Sequence, residues 1–323
     1  MRFERSELDG AVAVVRRHVP PTPQYSWPLL NEVAGSHVTV KHENHTPVGA
    51  FKVRGGLTYL DRLVRERPEV AGVVSATRGN HGQSLAFAGA HAGRSVTIFV
   101  PHGNSVEKNA AMRALRADGV EFGTDFQDAR ERSLEGAAAR GLEAVPPFHR
   151  DLVLGVATYA LELFEGTDAL DTVYVPVGMG SGINALIAVR DLLGIDTEIV
   201  GVVSERAPST LLSFERGEVV TTESAATFVD GVATRSPDAD AIEGILAGAA
   251  RVISVPDEAT AEAMRTIFRT THNVAESAGA IAFAGLLSEP PTLRGRRSAF
   301  VLCGGNVDTS QFRAVLAGAT PTA

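Results

Sequence analysis

A chain of 323 residues, 44% of them hydrophobic and 21% charged, is long enough to bury one large or two medium cores. Its net charge of -8 and scattered basic residues give no basic surface to track a phosphate backbone, which argues against nucleic acid as a partner. One cysteine, Cys303, leaves no intrachain disulfide framework or cysteine-built zinc site; the charged opening MRFERSELDG does not read as a secretory signal, and no apolar run approaches the ~20 residues of a membrane span, so a cytoplasmic globular protein is expected.

Along the chain, short β-branched runs alternate with longer helical patterns. HVTVKHE (37–43) predicts a strand, FKVRGGLTYLDRLVRE a helix, GVVSA (72–76) a strand and NHGQSLAFAGAHAG a helix. SVTIFVP, SVEKNAAMRALRADG, VEFGT and FQDARERSLEGAAARG continue the alternation, as do LVLGVATYALELFEG, TVYVPVG, GINALIAVRDLLG, EIVGVVS, DEATAEAMRTIFRTTH and a last strand, SAFVLCGG. Continuous apolar strands spaced by helices indicate parallel sheets covered on both faces. The class is α/β, and the number of strands points to two parallel-sheet lobes with a site in the cleft where strand ends meet.

Lysine usage is biased. Lys41, Lys52 and Lys108 are the three lysines, and the other 27 of the 30 basic residues are arginine. A guanidinium is essentially never deprotonated, so a lysine kept in such a chain suggests a need for a primary amine. Lys41 and Lys108 read as solvated surface groups, the usual fate of lysine. Lys52 follows Ala50-Phe51 at a predicted strand-to-helix junction, where a desolvated amine would be nucleophilic enough to form a Schiff base with an aldehyde cofactor. By itself it reads equally as an exposed first-turn lysine.

VYVPVGMGSGINALIAV (173–189) is strand, glycine-rich turn, helix. Gly178, Gly180 and Gly182, with Met179 and Ser181 between them, bring backbone amides and a helix N-terminus to one point, a recipe for a phosphate site or simply a tight turn. The spacing departs from the dinucleotide fingerprint, and no acidic residue follows ~20 positions on, so a single phosphate fits better than a pyrophosphate. In SATRGNHGQSLAFA (75–88), backbone N–H groups from Thr77 through Arg78, Gly79 and Asn80 to His81 could hold a substrate carboxylate, and the Asn80 amide could donate to a phenolate oxygen. His81 alone more often marks a structural histidine than a base, and Cys303 in VLCGGN more often a small core residue.

Together these stretches resemble the fold-type II pyridoxal-phosphate enzymes, and within them the threonine/serine dehydratase and serine racemase branch. KHENHTPVGAFKVRG resembles the lysine motif, TRGNHGQ the asparagine loop, PVGMGSG the phosphate loop, TFVDGVA the ADG segment, ESAGA the glutamate segment and CGGN the last cofactor contact. The resemblance implies pyridoxal 5'-phosphate held by Lys52, which would also remove the substrate α-proton. Phe51 would pack on the ring, Asn80 would bond its 3' oxygen, and Gly178 through Gly182 would cradle the phosphate. Gly231 would lie on the other face, Glu276 near the ring edge and Cys303 beside the pyridine nitrogen. A thiol there would not enforce a protonated pyridine, favouring loss of the β-hydroxyl over transamination.

The implied reaction is an ammonia-lyase (dehydratase) one on threonine, serine or a bulkier or acidic relative, with a racemase or a β-replacement synthase as alternatives on the same scaffold. The resemblance also implies a large cofactor domain (1–52 and 149–323), a small inserted domain (53–148) and a homodimer. Several positions depart from the pattern. Ala50 stands for a serine, the GQGT segment reads GVATYALEL from Gly155, and Arg78 stands where a racemase carries the serine that protonates the far side of Cα. Arg78 then binds a second carboxylate, lines an altered pocket or pairs with an acid. Glu205 resembles a metal ligand, but Leu211 stands where a second carboxylate is wanted, so no metal is expected. The chain ends soon after CGGN, and no regulatory domain or feedback control is expected.

Overall fold

Runs such as Val38–His42 and Ser298–Leu302 bury every residue, so they can be accommodated only between two layers of helix. The computed structural model describes residues 1–124, 126–290, 292 and 297–322, and in it these runs build two sheets. The chain begins with α1 (Arg5–Val15), β1 (Gln24–Ser26), α2 (Pro28–Ala34), β2 (Val38–His42) and α3 (Lys52–Glu66). There follow β3 (Gly72–Ala76), α4 (Asn80–Ala92), β4 (Ser95–Val100), α5 (Val106–Ala114), β5 (Asp118–Glu121), α6 (Phe126–Arg140) and β6 (Glu143–Ala144). The remainder is α7 (Arg150–Glu165), β7 (Thr172–Pro176), α8 (Ser181–Leu193), β8 (Glu198–Ser204), α9 (Ser209–Arg216), α10 (Ala239–Gly248), β9 (Arg251–Val255), α11 (Asp257–Thr271), α12 (Ser277–Ser288), β10 (Ser298–Leu302) and α13 (Thr309–Leu316).

The larger sheet runs β1-β2-β10-β7-β8-β9, with β1 antiparallel to β2 and the other neighbours parallel. The smaller sheet, β5-β4-β3-β6, is parallel throughout. Each has its own core: Tyr159, Phe283 and Phe300 lie in one, Leu60, Leu85 and Ile98 in the other. Chain reversals fall to glycines that accept a left-handed backbone, as at Gly93 (φ 65°) and Gly194 (φ 64°), which end α4 and α8.

The predicted strands and helices appear at or within a few residues of their expected places. VEFGT shifts back to β5 at Asp118–Glu121, an exposed edge strand whose register is set by pairing Thr97–Val100 of β4 rather than by its own hydrophobicity. Lys41 corrects the surface reading made from sequence. It is fully buried on β2, its ammonium 2.8 Å from Glu162 on α7, and Arg54 of α3 completes the network by pairing with Glu43 and Glu162 at 2.8 and 2.9 Å. Two cations and two carboxylates thus neutralise one another where α3 and α7 meet the large sheet.

Candidate active site

Three turns, after β2, β7 and β3, converge with the end of β10 to build the site. From β2 the chain turns through Gly49 (φ 68°) into α3, so that Phe51 and Lys52 form the start of that helix. This segment is fastened to the end of β10: Ala50 bridges Gly304, Phe51 N–H donates to the Cys303 carbonyl at 3.0 Å and Gly305 N–H to Gly49 at 2.9 Å. Lys52 and Cys303 are therefore neighbours by backbone pairing. The Lys52 ammonium lies 4.7 Å from the Phe51 ring centroid, and among the described residues no carboxylate comes within ion-pair distance of it. Burial lowers its pKa, outweighing the charges of Cys303 and Glu276 that would raise it. The same burial pushes the Cys303 thiol well above its ordinary range, with Glu276 adding to the effect.

The second component is the turn after β7. Gly180 adopts φ 92° and caps α8, whose first-turn N–H groups have no partners within the helix and point along its dipole. Gly178 is needed for a different reason than cofactor approach: a Cβ there would lie 2.2 Å from the Gly231 carbonyl oxygen. Gly231 is equally confined, 2.6 Å from the Ala278 methyl, so three small residues let two loops and α12 stack on one side of the cleft. Beneath the turn, the buried Tyr159 hydroxyl donates to the Gly182 carbonyl at 3.3 Å and its ring meets Phe51 edge-on at 6.0 Å.

The third is the turn from β3 into α4. Thr77 N–H donates to Phe99 and Gly79 N–H to the Thr77 hydroxyl, at 3.0 and 2.9 Å, so two of the five amides expected to face a carboxylate are already bonded. Asn80 and His81 remain as first-turn donors of α4. The Asn80 amide donates to Glu276 at 2.6 Å and its carbonyl accepts from Asn306 at 2.9 Å. His81 is buried, and burial followed by the charge of Lys52 lowers its pKa to about 3, which leaves it neutral. Arg78 is exposed and does not line the cleft. Glu205 is exposed as well, and among the described residues no three His, Cys, Asp or Glu side chains are grouped to hold a metal ion.

The cleft between these turns is lined by Phe51, Lys52, Asn80, Gly178 to Gly182, Gly231, Glu276 and Cys303, joined by Pro176 and Ala278. Sequence reasoning missed Lys108. It is only 9% exposed, pairs with Asp230 at 3.4 Å and Glu276 at 3.7 Å, and lays its stem on Gly79, where a Cβ would come within 2.4 Å of its Cδ. The scarcity of lysine was the signal, and it applied to all three.

The chain is 30% identical over 289 residues to the L-threonine ammonia-lyase of Thermotoga maritima, a match covering 89% of this chain and 72% of that one. It is 30% identical over 298 residues to the L-threo-3-hydroxyaspartate ammonia-lyase of a Pseudomonas species, covering 92% and 93%. Among solved structures, the processed form of threonine deaminase isoform 2 from Solanum lycopersicum superposes with a TM-score of 0.88 at 26% identity, over 98% of this chain and 95% of that one. Residues 15–304, and with them every turn that meets at the cleft from Phe51 to Cys303, match one family, and the chain belongs to the pyridoxal-phosphate dependent enzymes.

Proposed function

We propose that this protein is an ammonia-lyase that converts a 3-hydroxy amino acid of the threonine, serine or 3-hydroxyaspartate type to a 2-oxo acid and ammonia. The observation that carries the reading is the convergence on one cleft of the Lys52 amine, the N-terminus of α8, the Asn80 amide and the Cys303 thiol. That donor set suits pyridoxal phosphate. A helix N-terminus without an acidic side chain in its turn accepts a phosphate, and a desolvated amine without an ion-pair partner accepts an aldehyde.

When bound, the cofactor supplies an electron sink for the charge left on the substrate α-carbon. The protein's own groups do the rest. Lys52 would hold the aldehyde end and, once its amine is released, would take the α-proton, a task for which its depressed pKa prepares it. First-turn amides of α8, from Ser181 and Gly182, grip the phosphate, with Met179 and Gly180 shaping the turn. Phe51 and Gly231, which line the cleft, would wall the two faces, and Asn80 would donate to the 3' oxygen. Cys303, held protonated, would face the pyridine nitrogen without a charge that would enforce its protonation. The Asn80 and His81 amides of α4 receive the substrate carboxylate, close to Thr77 and Gly79. Arg78, exposed in the same turn and outside the lining of the cleft, puts no hydroxyl at the far side of the substrate α-carbon. A guanidinium is a poor proton relay, so the residue at 78 favours elimination over racemisation.

This reading assigns residues 1–52 and 149–323 to a cofactor lobe and 53–148 to an inserted lobe, a division supported by each sheet lying wholly within one of them. It also takes the protein to be a cytoplasmic homodimer, which light scattering on the purified protein checks by mass.

The test is chemical. Protein loaded with pyridoxal phosphate and reduced with borohydride is expected to carry the label at Lys52, and L-threonine, L-serine or L-threo-3-hydroxyaspartate is expected to yield a 2-oxo acid with ammonia. Lys52→Ala loses both. A label at another residue, or none, overturns the assignment.

A further inference from the structure

We propose that Lys108 is a positioning residue of this site: reaching across the cleft from α5, its ammonium holds the Glu276 carboxylate in the orientation that fixes the Asn80 amide. Glu276 is the N-cap residue of α12 and only 4% exposed. One carboxylate oxygen accepts from Asn80 at 2.6 Å while the other faces the Lys108 ammonium at 3.7 Å, and Asn80 is gripped from its far side by Asn306. A Cβ on Gly304 would lie 2.3 Å from Glu276 Oε1, so the carboxylate also sits in a slot that limits its rotation. The amide expected to meet the cofactor's 3' oxygen is thus the end of a chain of contacts that starts at Lys108, on the same inserted lobe, and passes through Glu276 on the cofactor lobe.

Three features around α5 bring that lysine into place. Its N-cap Ser105 accepts from Lys108 N–H at 3.0 Å and donates to Asp308 at 2.5 Å, so the first turn is tied to the segment after β10. Glu107 accepts from Thr309 N–H at 2.9 Å, a second tie to the same segment. The bare backbone of Gly79 then leaves room for the lysine stem to lie along it. A solvated lysine needs none of these arrangements.

The charges facing Glu276 are Lys108 from α5, Lys52 from α3 and Asp230 from the turn before α10, with the Cys303 thiol beyond. Burial raises the Glu276 pKa, and Lys108 is the first of the groups that hold it down. Burial likewise works against the Lys108 charge, but Glu276 and Asp230 outweigh it and raise its pKa. Without the lysine, Glu276 takes a proton at a higher pH and becomes a neutral carboxyl, a weaker acceptor for the Asn80 amide.

The proposal deepens the cofactor reading above and rests on it for one of its two measurements. In apo protein, the Glu276 carboxyl is titrated by carbon-13 NMR, with E276Q assigning the resonance. K108M is expected to raise its midpoint by about one pH unit, a tenfold gain in proton affinity, while K108R leaves it within about threefold of wild type. Equilibrium binding of pyridoxal phosphate is expected to weaken roughly 10- to 100-fold in K108M, as for other losses of a group that orients a ligand contact. In an E276Q background K108M should change that affinity no further, because the lysine acts through the carboxylate. K108Q, which keeps a polar end without the charge, gives the same readings should K108M not fold. An unshifted Glu276 midpoint overturns the proposal, as does an undiminished effect of K108M in E276Q. Wild-type protein that binds no pyridoxal phosphate would overturn the cofactor reading, and the apo titration alone would then decide this one.

Discussion

Removing an ammonium from water favours its neutral form, and the position of Lys52 makes folding and proton binding compete. Its pKa is lowered in the folded state, so the unfolded chain binds that proton more tightly. Stability contributed by the site therefore rises as pH climbs from the folded pKa toward the ordinary lysine value near 10.5. Apo Lys52→Met is expected to melt on the order of 2 °C above apo wild type at pH 7, with the gap closing as the pH approaches that value; differential scanning calorimetry across pH measures it. A gap that is constant with pH would mean that the amine is not desolvated. Lys52 was legible in the sequence because its rarity coincided with a strand-to-helix junction and a glycine turn. Lys108 was not, because the stretch Ser105–Asn109 also looks like the capped start of a surface helix, and its partner Asp230 lies 122 residues away. Distance along the chain conceals burial.

At the scale of elements, the start of α3 is fixed by how closely that helix approaches α7. Gly55 and Gly155 face each other's helices: a Cβ on Gly55 would lie 2.6 Å from the Leu152 carbonyl oxygen, and one on Gly155 would lie 2.2 Å from the Arg54 carbonyl oxygen and the Thr58 hydroxyl. These obstacles are mostly backbone, so an added methyl group is relieved only by moving the helices apart. The same contact brings Arg54 to Glu162 and Glu43, which are stranded as buried charges if the helices part. Gly155→Ala is expected to destabilise the protein by about 1–3 kcal/mol, seen as a lower urea midpoint, and to weaken pyridoxal phosphate binding because Lys52 begins the displaced helix. Retention of wild-type stability would show that the crossing yields more readily than its geometry implies. Elements with a periodic signal were legible, while α12 was not, since SAGAIAFAGLLS is buried on nearly every side and has no polar face to reveal a 3.6-residue repeat. The two-residue β6 was too short to announce itself, and β1 is antiparallel in a sheet otherwise read as parallel.

At the scale of the whole molecule, the two-lobed α/β architecture followed from counting strands, whereas the way the lobes meet did not, because it depends on side chains such as Lys108, Asp308 and Asn306 that no local pattern distinguishes. The two lobes carry separate reporters of acid stability. His42 on β2 belongs to the larger sheet and His81 on α4 packs beside the smaller one. Burial, joined at His42 by the charge of His45 and at His81 by that of Lys52, lowers their pKa values from 6.5 to about 4 and about 3. The unfolded chain therefore binds these two protons before the native protein does. Their contribution to stability is complete above pH 6.5 and is lost as the pH falls from there toward 4 for His42 and toward 3 for His81. Glu276, raised by burial, works in the opposite direction as it is protonated, so total stability alone does not isolate the histidines. Variants do. His42→Gln and His81→Gln are each expected to show a shallower loss of unfolding free energy between pH 6.5 and 4.5 than wild type, by about one proton per molecule, measured from urea midpoints at each pH. If unfolding remains a single transition, either substitution flattens the same curve although one ring sits in the larger sheet and the other on a helix beside the smaller one, which is the behaviour of two lobes that open together. Separate acid transitions, each altered by only one of the substitutions, would instead show that the contacts across the cleft do not couple them.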